Sequence, residues 1–273
     1  MKILVLGGTA DARKVVTQAY AQNLFKSGGH ELVYSIAGLV RTPSVPCEVI
    51  SGGFTQFDGL ATYIKANSIQ AILDITHPFA AQMSTTAVNV AKLQDIPCWR
   101  FHREAWLKKV GDDWHYFQDW NSVVQAARPY KSLLLTVGQV NHAEIAQLSS
   151  TEKAAAKTKV VLRTAAPPRI DLPQDVTWVK AIGPFTLENE IALMLTYQTD
   201  LLISKNSGGV STQAKLDAAR ALAIPVFMIE RPVLPSATAE FSTIESCLKG
   251  LEHWLRERTL NGTNSQKVNQ DAF

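Results

Sequence analysis

Short runs of Val, Ile and Leu alternate along the chain with longer stretches in which apolar residues recur every three or four positions. The short runs are typical of strands buried on both faces of a parallel sheet, and the longer stretches of helices that cover such a sheet. The alternation therefore predicts an α/β fold of two doubly wound, Rossmann-like domains with mainly parallel sheets. In the first half, strands are predicted near residues 2–6, 31–36, 70–74 and 96–101, and helices near 10–26, 56–67 and 79–94.

The alternation restarts after Tyr130, which marks the predicted domain boundary. We expect an N-terminal domain over residues 1–129, a C-terminal domain over 130–259 and a disordered tail over 260–273, where apolar periodicity is lost. Ligands of such folds bind outside the carboxyl ends of the strands, so we expect the site in an interdomain cleft. The remaining predicted strands lie near 115–117, 132–136, 158–163, 177–181, 200–204 and 224–229, and the remaining helices near 119–128, 140–148, 187–197, 211–222 and 243–258.

Composition narrows the class of protein. The 273 residues are 46% hydrophobic and 19% charged, which suits two globular domains with sizeable cores. A net charge of +3 without a basic run argues against nucleic-acid binding, and no stretch has the roughly 20 apolar residues of a membrane span. The chain opens on a strand pattern rather than a signal peptide, and its three scattered cysteines fit neither a disulfide framework nor a metal site. We therefore expect a cytoplasmic protein without a bound metal.

The turn after the first predicted strand contains Gly7, Gly8 and Thr9. Backbone N–H groups at such a helix start can bind a phosphate, and the Thr9 hydroxyl is a further candidate donor. The turn is a degenerate form of the GxGxxG dinucleotide fingerprint, and a tight turn without a ligand would also explain its glycines. The second strand ends near Ser35 and Arg41 with no acidic residue between them, which favours the 2′-phosphate of NADPH over the 2′-hydroxyl of NADH.

Two further turns of the first half carry polar candidates. Thr76 and His77 stand before Pro78 at a predicted helix start, where Thr76 could contact the cofactor. His77 could donate a proton, contact a substrate or cap the turn. The next strand ends in a basic cluster that would attract carboxylates, formed by Arg100, His102 and Arg103.

In the second half, one polar loop stands out. It follows a strand that reads as buried and precedes a helix, and its lysine and small polar residues could grip an anion. The order of residues does not match GxxxxGK[ST], which argues against a Walker-type nucleotide hydrolase. The candidate residues of this loop are Lys205, Asn206, Ser207, Gly208 and Gly209.

Taken in order along the chain, these motifs resemble the precorrin-6A reductase family of cobalamin biosynthesis. The likeness extends over roughly residues 2–233. Its most specific parts are Thr76-His77-Pro78-Phe79-Ala80 and Lys205-Asn206-Ser207-Gly208-Gly209. The other parts are Leu6-Gly7-Gly8-Thr9, Ser35-Ile36-Ala37-Gly38, Gly52-Gly53-Phe54, Gly183-Pro184-Phe185 and Glu230-Arg231-Pro232.

The resemblance implies an oxidoreductase that transfers hydride from NADPH or NADH to a double bond of precorrin-6A or cobalt-precorrin-6A, giving precorrin-6B or its cobalt complex. Its partners would be the polycarboxylate tetrapyrrole and neighbouring enzymes of the pathway. Such a substrate needs cationic side chains, and this sequence offers Arg100, His102, Arg103, Arg163 and Arg231. The alternative is a glycosyltransferase-like two-domain protein that binds a nucleotide sugar at Lys205–Gly209.

Overall fold

The computed structural model describes residues 1–25, 29–38, 43–149 and 158–268. The chain is divided into two compact units. The first contains Met1–Arg103 and the C-terminal segment that begins at Val233, and the second contains Glu104–Pro232.

The first unit is a parallel sheet in the order β12-β5-β4-β1-β2-β3. The chain builds one side of the sheet outward from β1 through β2 and β3, and then returns to β4 on the other side of β1. The strand order therefore reverses between β1 and β4, where ligands of doubly wound sheets bind. The elements are β1 (Lys2–Leu6), α1 (Ala10–Ala21), β2 (Glu31–Ile36), β3 (Glu48–Ser51), α2 (Leu60–Ala66), β4 (Ile69–Asp74), α3 (Ala81–Leu93), β5 (Cys98–Phe101), β12 (Ala239–Phe241) and α8 (Ile244–Val268).

Alternate residues of β1 pack into two separate hydrophobic cores. Ile3 and Val5 pack in one cluster with residues of α1 and α8, whereas Leu4 and Leu6 pack in another with residues of α2 and α3. This division is what the period of two along a strand requires when helices cover both faces of a sheet. The apolar strand pattern thus has the meaning predicted from the sequence.

The second unit is a parallel sheet in the order β6-β11-β10-β7-β8-β9. Its strand order reverses between β7 and β10, the counterpart of the β1/β4 position. The fold class predicted from the sequence, with two Rossmann-like parallel sheets, is confirmed. The elements are β6 (Trp114–Phe117), α4 (Trp120–Ala127), β7 (Ser132–Thr136), α5 (His142–Ser149), β8 (Lys159–Thr164), β9 (Val176–Lys180), α6 (Leu187–Thr196), β10 (Leu201–Lys205), α7 (Ala214–Ala221) and β11 (Val226–Ile229).

The units differ from the predicted domains of residues 1–129 and 130–259. The chain passes into the second unit after Arg103, because β6 pairs with β11 in the second sheet. It returns to the first unit after Pro232, because β12 pairs with β5 and α8 packs beside α1. Of the predicted disordered tail, residues 260–268 belong to α8, and 269–273 lie outside the described residues. Within the described ranges, none of the helices combines the length and apolar character that crossing a membrane would require.

Candidate functional site

The glycine turn of the first unit lies where its strand order reverses. Gly8 has a positive φ of +99°, and a Cβ at Gly8 would meet nothing within 4 Å, so the turn is open on that side. Thr9 caps α1, because its hydroxyl oxygen accepts from the Ala12 N–H at 3.0 Å. The same hydroxyl donates to the Ile75 carbonyl at 2.9 Å. The Thr9 proton is therefore bonded within the unit, and the predicted role of Thr9 as a phosphate donor stays a prediction.

Tyr34 on β2 lies beneath this turn and was missed in the sequence. Its Oη accepts from the Gly8 N–H at 3.0 Å, and burial raises the pKa of this phenol. A Cβ at Gly7 would lie 2.3 Å from the Tyr34 ring, so only glycine fits there. The Gly7 N–H donates to the carbonyl of Ser35, a residue that is buried in β2 rather than displayed at a strand tip. The available signal was a single tyrosine directly after the apolar residues Leu32 and Val33 of the strand.

An ion pair closes one side of the same turn. Arg103 Nη1 donates to Asp11 Oδ2 at 2.6 Å, and both side chains are about one-fifth exposed. Asp11 stands in the first turn of α1, where a carboxylate is stabilised by the helix dipole. A small pocket at this point is lined by Thr9, Asp11, Ile75, Thr76, Pro78, Phe101 and Arg103.

The turn after β4 is held by the buried carboxylate of Asp74. Its Oδ1 accepts from both the backbone N–H and the hydroxyl of Thr76, at 3.1 and 2.6 Å. The Thr76 proton is thus bonded within the turn, and the predicted contact of Thr76 with the cofactor stays a prediction. His77 is exposed, and its Nδ1 accepts from the Phe79 N–H at 3.3 Å, so the neutral ring carries its proton on Nε2. The helix begins at Ala81, later than predicted, because Pro78 and Phe79 form a turn.

Arg100 lies in the interior, with only 3% of its surface exposed. Its guanidinium contacts Asp74 Oδ2 at 3.4 Å, the Pro235 carbonyl at 2.9 Å and Glu240 Oε1 at 3.0 Å. These bonds join β4, β5 and the segment that leads to β12, so the described contacts of Arg100 are structural. The backbone N–H of His102 donates to Phe241 O at 2.7 Å and extends the pairing of β5 with β12.

In the second unit, the loop after β10 is folded around Trp106. Asn206 Oδ1 accepts from the Trp106 N–H at 2.9 Å, and Asn206 Nδ2 donates to the Trp106 carbonyl at 3.4 Å. The Trp106 indole Nε1 donates to the Gly209 carbonyl at 3.1 Å. The amide of Asn206 therefore clamps the loop to the 104–106 segment, and its predicted role as a cofactor ligand stays a prediction.

Gly208 occupies the tightest point of the loop. Its φ is +66°, and an added Cβ would lie 2.0 Å from the Glu104 carbonyl oxygen and 2.9 Å from Arg231 Nη2. Arg231 is half-buried, and its Nε donates to the Asn206 carbonyl at 2.9 Å. The glycine thus allows the 104–106 segment and Arg231 to pack directly against the loop backbone.

Lys205 and Ser207 flank this clamp. Lys205 is half-buried, and burial lowers the pKa of its ammonium, while the Glu144 carboxylate opposes that shift. Ser207 is buried, and its N–H donates to the Lys205 carbonyl at 2.7 Å. Of the five predicted loop residues, Lys205 retains a side chain that reaches the surface.

Arg163, which was predicted to contact the substrate, is also buried. Its Nη1 pairs with Glu190, which is 1% exposed, and its guanidinium lies 4.3 Å from the centre of the Phe185 ring. Its positive charge was the reason for predicting a substrate contact, and the sequence did not show that Glu190 on α6, 27 positions later, pairs with it. Arg41 lies outside the described residues. Among the side chains in the described ranges, no group of three His, Cys, Asp or Glu that could hold a metal is found.

Comparisons with known proteins agree over nearly the whole chain. A family model described as precorrin-6x reductase CbiJ/CobK matches residues 2–252. The precorrin-6A reductase of Rhodococcus erythropolis is 40% identical over 87% of this chain and 92% of its own. A cobalt-precorrin-6A reductase of Priestia megaterium is 28% identical over 94% of this chain and 99% of its own. A solved CobK precorrin-6A reductase has a TM-score of 0.77 and 33% identity, covering 92% of this chain and 96% of its own. These findings do not support the nucleotide-sugar alternative.

Proposed function

The chain belongs to the precorrin-6x reductase family, CbiJ/CobK, and from that premise we propose that it reduces a double bond of precorrin-6A with a nicotinamide cofactor in cobalamin biosynthesis. The supporting observation is the position of two family motifs. Gly7–Thr9 follows β1 and Lys205–Gly209 follows β10, and both strands adjoin the reversal of strand order in their own sheet. Ligands of doubly wound folds bind at such positions.

A nicotinamide dinucleotide fits the first unit. The open space beside Gly8 admits a phosphate close to the backbone, and the first amides of α1 lack intrahelical acceptors. The Tyr34 hydroxyl, which stays protonated because burial raises its pKa, adds a polar group beneath the turn. The sequence from Ser35 to Thr42 has no carboxylate to bind a ribose 2′-hydroxyl, so we assign NADPH as the preferred cofactor.

When bound, the reduced nicotinamide supplies the hydride, and the protein's residues orient the reactants and provide a proton. We assign that proton to the imidazolium form of His77, because the ring is exposed and can regain a proton from solvent. For the carboxylates of the substrate we retain His102, Arg103 and Arg231. Arg100 and Arg163 are excluded because both guanidinium groups are buried and bound to carboxylates.

The metal-free macrocycle is the proposed form of the substrate. The precorrin-6A reductase of Rhodococcus erythropolis is 40% identical to this chain, whereas the cobalt-precorrin-6A reductase of Priestia megaterium is 28% identical. A direct assay supplies the purified protein with either macrocycle and either cofactor and follows the absorbance of the reduced nicotinamide. We expect the fastest oxidation with metal-free precorrin-6A and NADPH. If none of the four combinations is turned over, the proposed activity is refuted.

Replacing Lys205 with alanine should weaken NADPH binding at least about tenfold without unfolding the protein, since hydrogen bonds to charged groups contribute about 1.5–3 kcal/mol. The matched control is Lys131→Ala, which removes the same charge from an exposed side chain at the other end of the second sheet, just before β7. Tryptophan fluorescence titration measures both dissociation constants. Equal constants for the two variants would remove Lys205 from the cofactor site.

A further inference from the structure

The interior of the second unit contains three ionisable side chains to which the proposed reaction gives no role. Arg163 on β8, Glu190 on α6 and Lys215 on α7 are respectively 6%, 1% and 4% exposed. Arg163 pairs with Glu190, and the second carboxylate oxygen of Glu190 is buried without a hydrogen-bond partner. The described ion pairs include none for Lys215. The cluster therefore combines two cationic groups with one carboxylate in a region of low dielectric, where excess charge is costly.

Lys215 contacts the residue that holds the loop after β10. Its Nζ lies 5.2 Å from the centre of the Trp106 ring, within the range of a cation–π interaction. Trp106 in turn binds Asn206 through its backbone and Gly209 through its indole N–H. The position of the loop thus depends on Trp106, and the charge of Lys215 acts on the face of that ring.

We propose that Lys215 is a positioning residue, whose ammonium group holds Trp106 and, through it, the Asn206–Gly209 segment in the ligand-binding arrangement. The proposal rests on the proposed function for the statement that this loop binds the ligand. Its structural part concerns the second unit alone and can be tested without any ligand.

The protonation state of Lys215 changes near neutral pH. Burial and, to a smaller extent, the Arg163 guanidinium lower the pKa of Lys215, Glu190 opposes both, and the resulting pKa is about 7. These two groups, with the Trp106 ring, are what face the ammonium from β8, α6 and the 104–106 segment. Below that pKa the charged ammonium attracts the ring, and above it the neutral amine does not. We therefore expect the loop to be held best on the acidic side of the transition.

The first experiment follows the indole N–H signals of ¹⁵N-tryptophan-labelled protein across neutral pH by NMR, without ligand. Trp106→Phe identifies the signal of interest. That signal should shift with a midpoint near 7 in the unsubstituted protein and should not titrate in Lys215→Met, which removes the amine and keeps an unbranched side chain. In Lys205→Met the transition should remain, because Lys205 is not the residue that contacts the ring.

A second variant keeps the test decisive if Lys215→Met does not fold. Lys215→Arg stays charged throughout this pH range, so the Trp106 signal should stay at its acidic position without a transition. A signal that is flat in the unsubstituted protein overturns the proposal. So does a transition that persists in Lys215→Arg or Lys215→Met, or one that disappears in Lys205→Met.

The functional arm compares NADPH dissociation constants of Lys215→Met and the unsubstituted protein on both sides of the transition. On the acidic side we expect Lys215→Met to bind NADPH about fivefold more weakly than the unsubstituted protein, a loss of the size of a partly buried cation–π contact. On the basic side we expect the two dissociation constants to be equal. The two possible failures are distinguishable. Constant affinity beside the expected NMR titration would refute the loop as the ligand site, whereas a missing NMR titration would refute the role of Lys215.

Discussion

Replacing Gly208 with alanine should lower kcat/KM by about 100-fold, since a displacement of about 1 Å within a site can cost that much. The added Cβ would lie 2.0 Å from the Glu104 carbonyl oxygen and 2.9 Å from Arg231 Nη2. The backbone oxygen cannot rotate away, so the loop and the 104–106 segment must separate. That separation would break the hydrogen bonds between Asn206, Gly209 and Trp106.

The matched control for this variant is Gly29→Ala. Gly29 has a φ of +61°, close to the +66° of Gly208, but an added Cβ there meets nothing within 4 Å. Alanine at Gly29 should therefore lower the free energy of unfolding by only the cost of the left-handed backbone conformation, about 1–2 kcal/mol, and should leave kcat/KM unchanged. Steady-state kinetics and urea unfolding measure the two effects. Equal losses of kcat/KM in both variants would show that backbone conformation, and not the contact with Glu104, makes glycine necessary at Gly208.

The regular elements of the fold could be predicted because their apolar periodicity is local. The glycine turn after β1 and the polar loop after β10 were also visible, since strand-to-helix turns carry their own residue signals. Two strands were missed, Glu48–Ser51 and Ala239–Phe241. Both are three or four residues long, lie at the edges of their sheet and have no fully buried residue, so they lack the apolar run that marks a central strand.

The roles of individual side chains were harder to predict, because they depend on partners that are distant in the sequence. Asn206 is of a residue type that often binds ligands, but its amide is bound to Trp106, 100 positions earlier. Arg163 has the charge expected of a carboxylate-binding residue, but Glu190 neutralises it inside the unit. Polar groups can be buried when they are paired, and a single sequence does not show the pairing.

The predicted domain boundary near residue 130 differs from the division into the two units for a related reason. Residues that follow β5 along the chain form β6, which the pattern assigned to the first half. In the structure β6 is an edge strand of the second sheet, and β12 takes the edge position beside β5. The sequence of a short strand does not indicate which sheet the strand will join, because its pairing uses backbone hydrogen bonds that any neighbouring sheet edge could supply.

Replacing Glu190 with glutamine should destabilise the protein by about 3–5 kcal/mol, the usual cost of removing one partner from a buried ion pair. The change leaves the Arg163 guanidinium and the Lys215 amine, both nearly inaccessible to water, without their carboxylate. Glutamine keeps the shape of the side chain, so the loss reports on charge and not on a cavity. Urea unfolding followed by circular dichroism measures the free energy of unfolding.

The control for this prediction is Glu245→Gln on α8, which breaks an exposed ion pair with Lys249 at 2.7 Å. We expect no measurable change there, because solvent screens exposed pairs. Adding Lys215→Met to Glu190→Gln should recover part of the lost stability, since it removes one of the two cations left in the interior. The recovery of stability should be largest on the acidic side of the Lys215 pKa of about 7, because folding there buries a charged ammonium. It should fade as the pH rises toward the ordinary pKa of a lysine in the unfolded chain. If Lys215→Met has the same effect with and without Glu190, the two side chains are not coupled and the charge balance of the cluster is not what stabilises it.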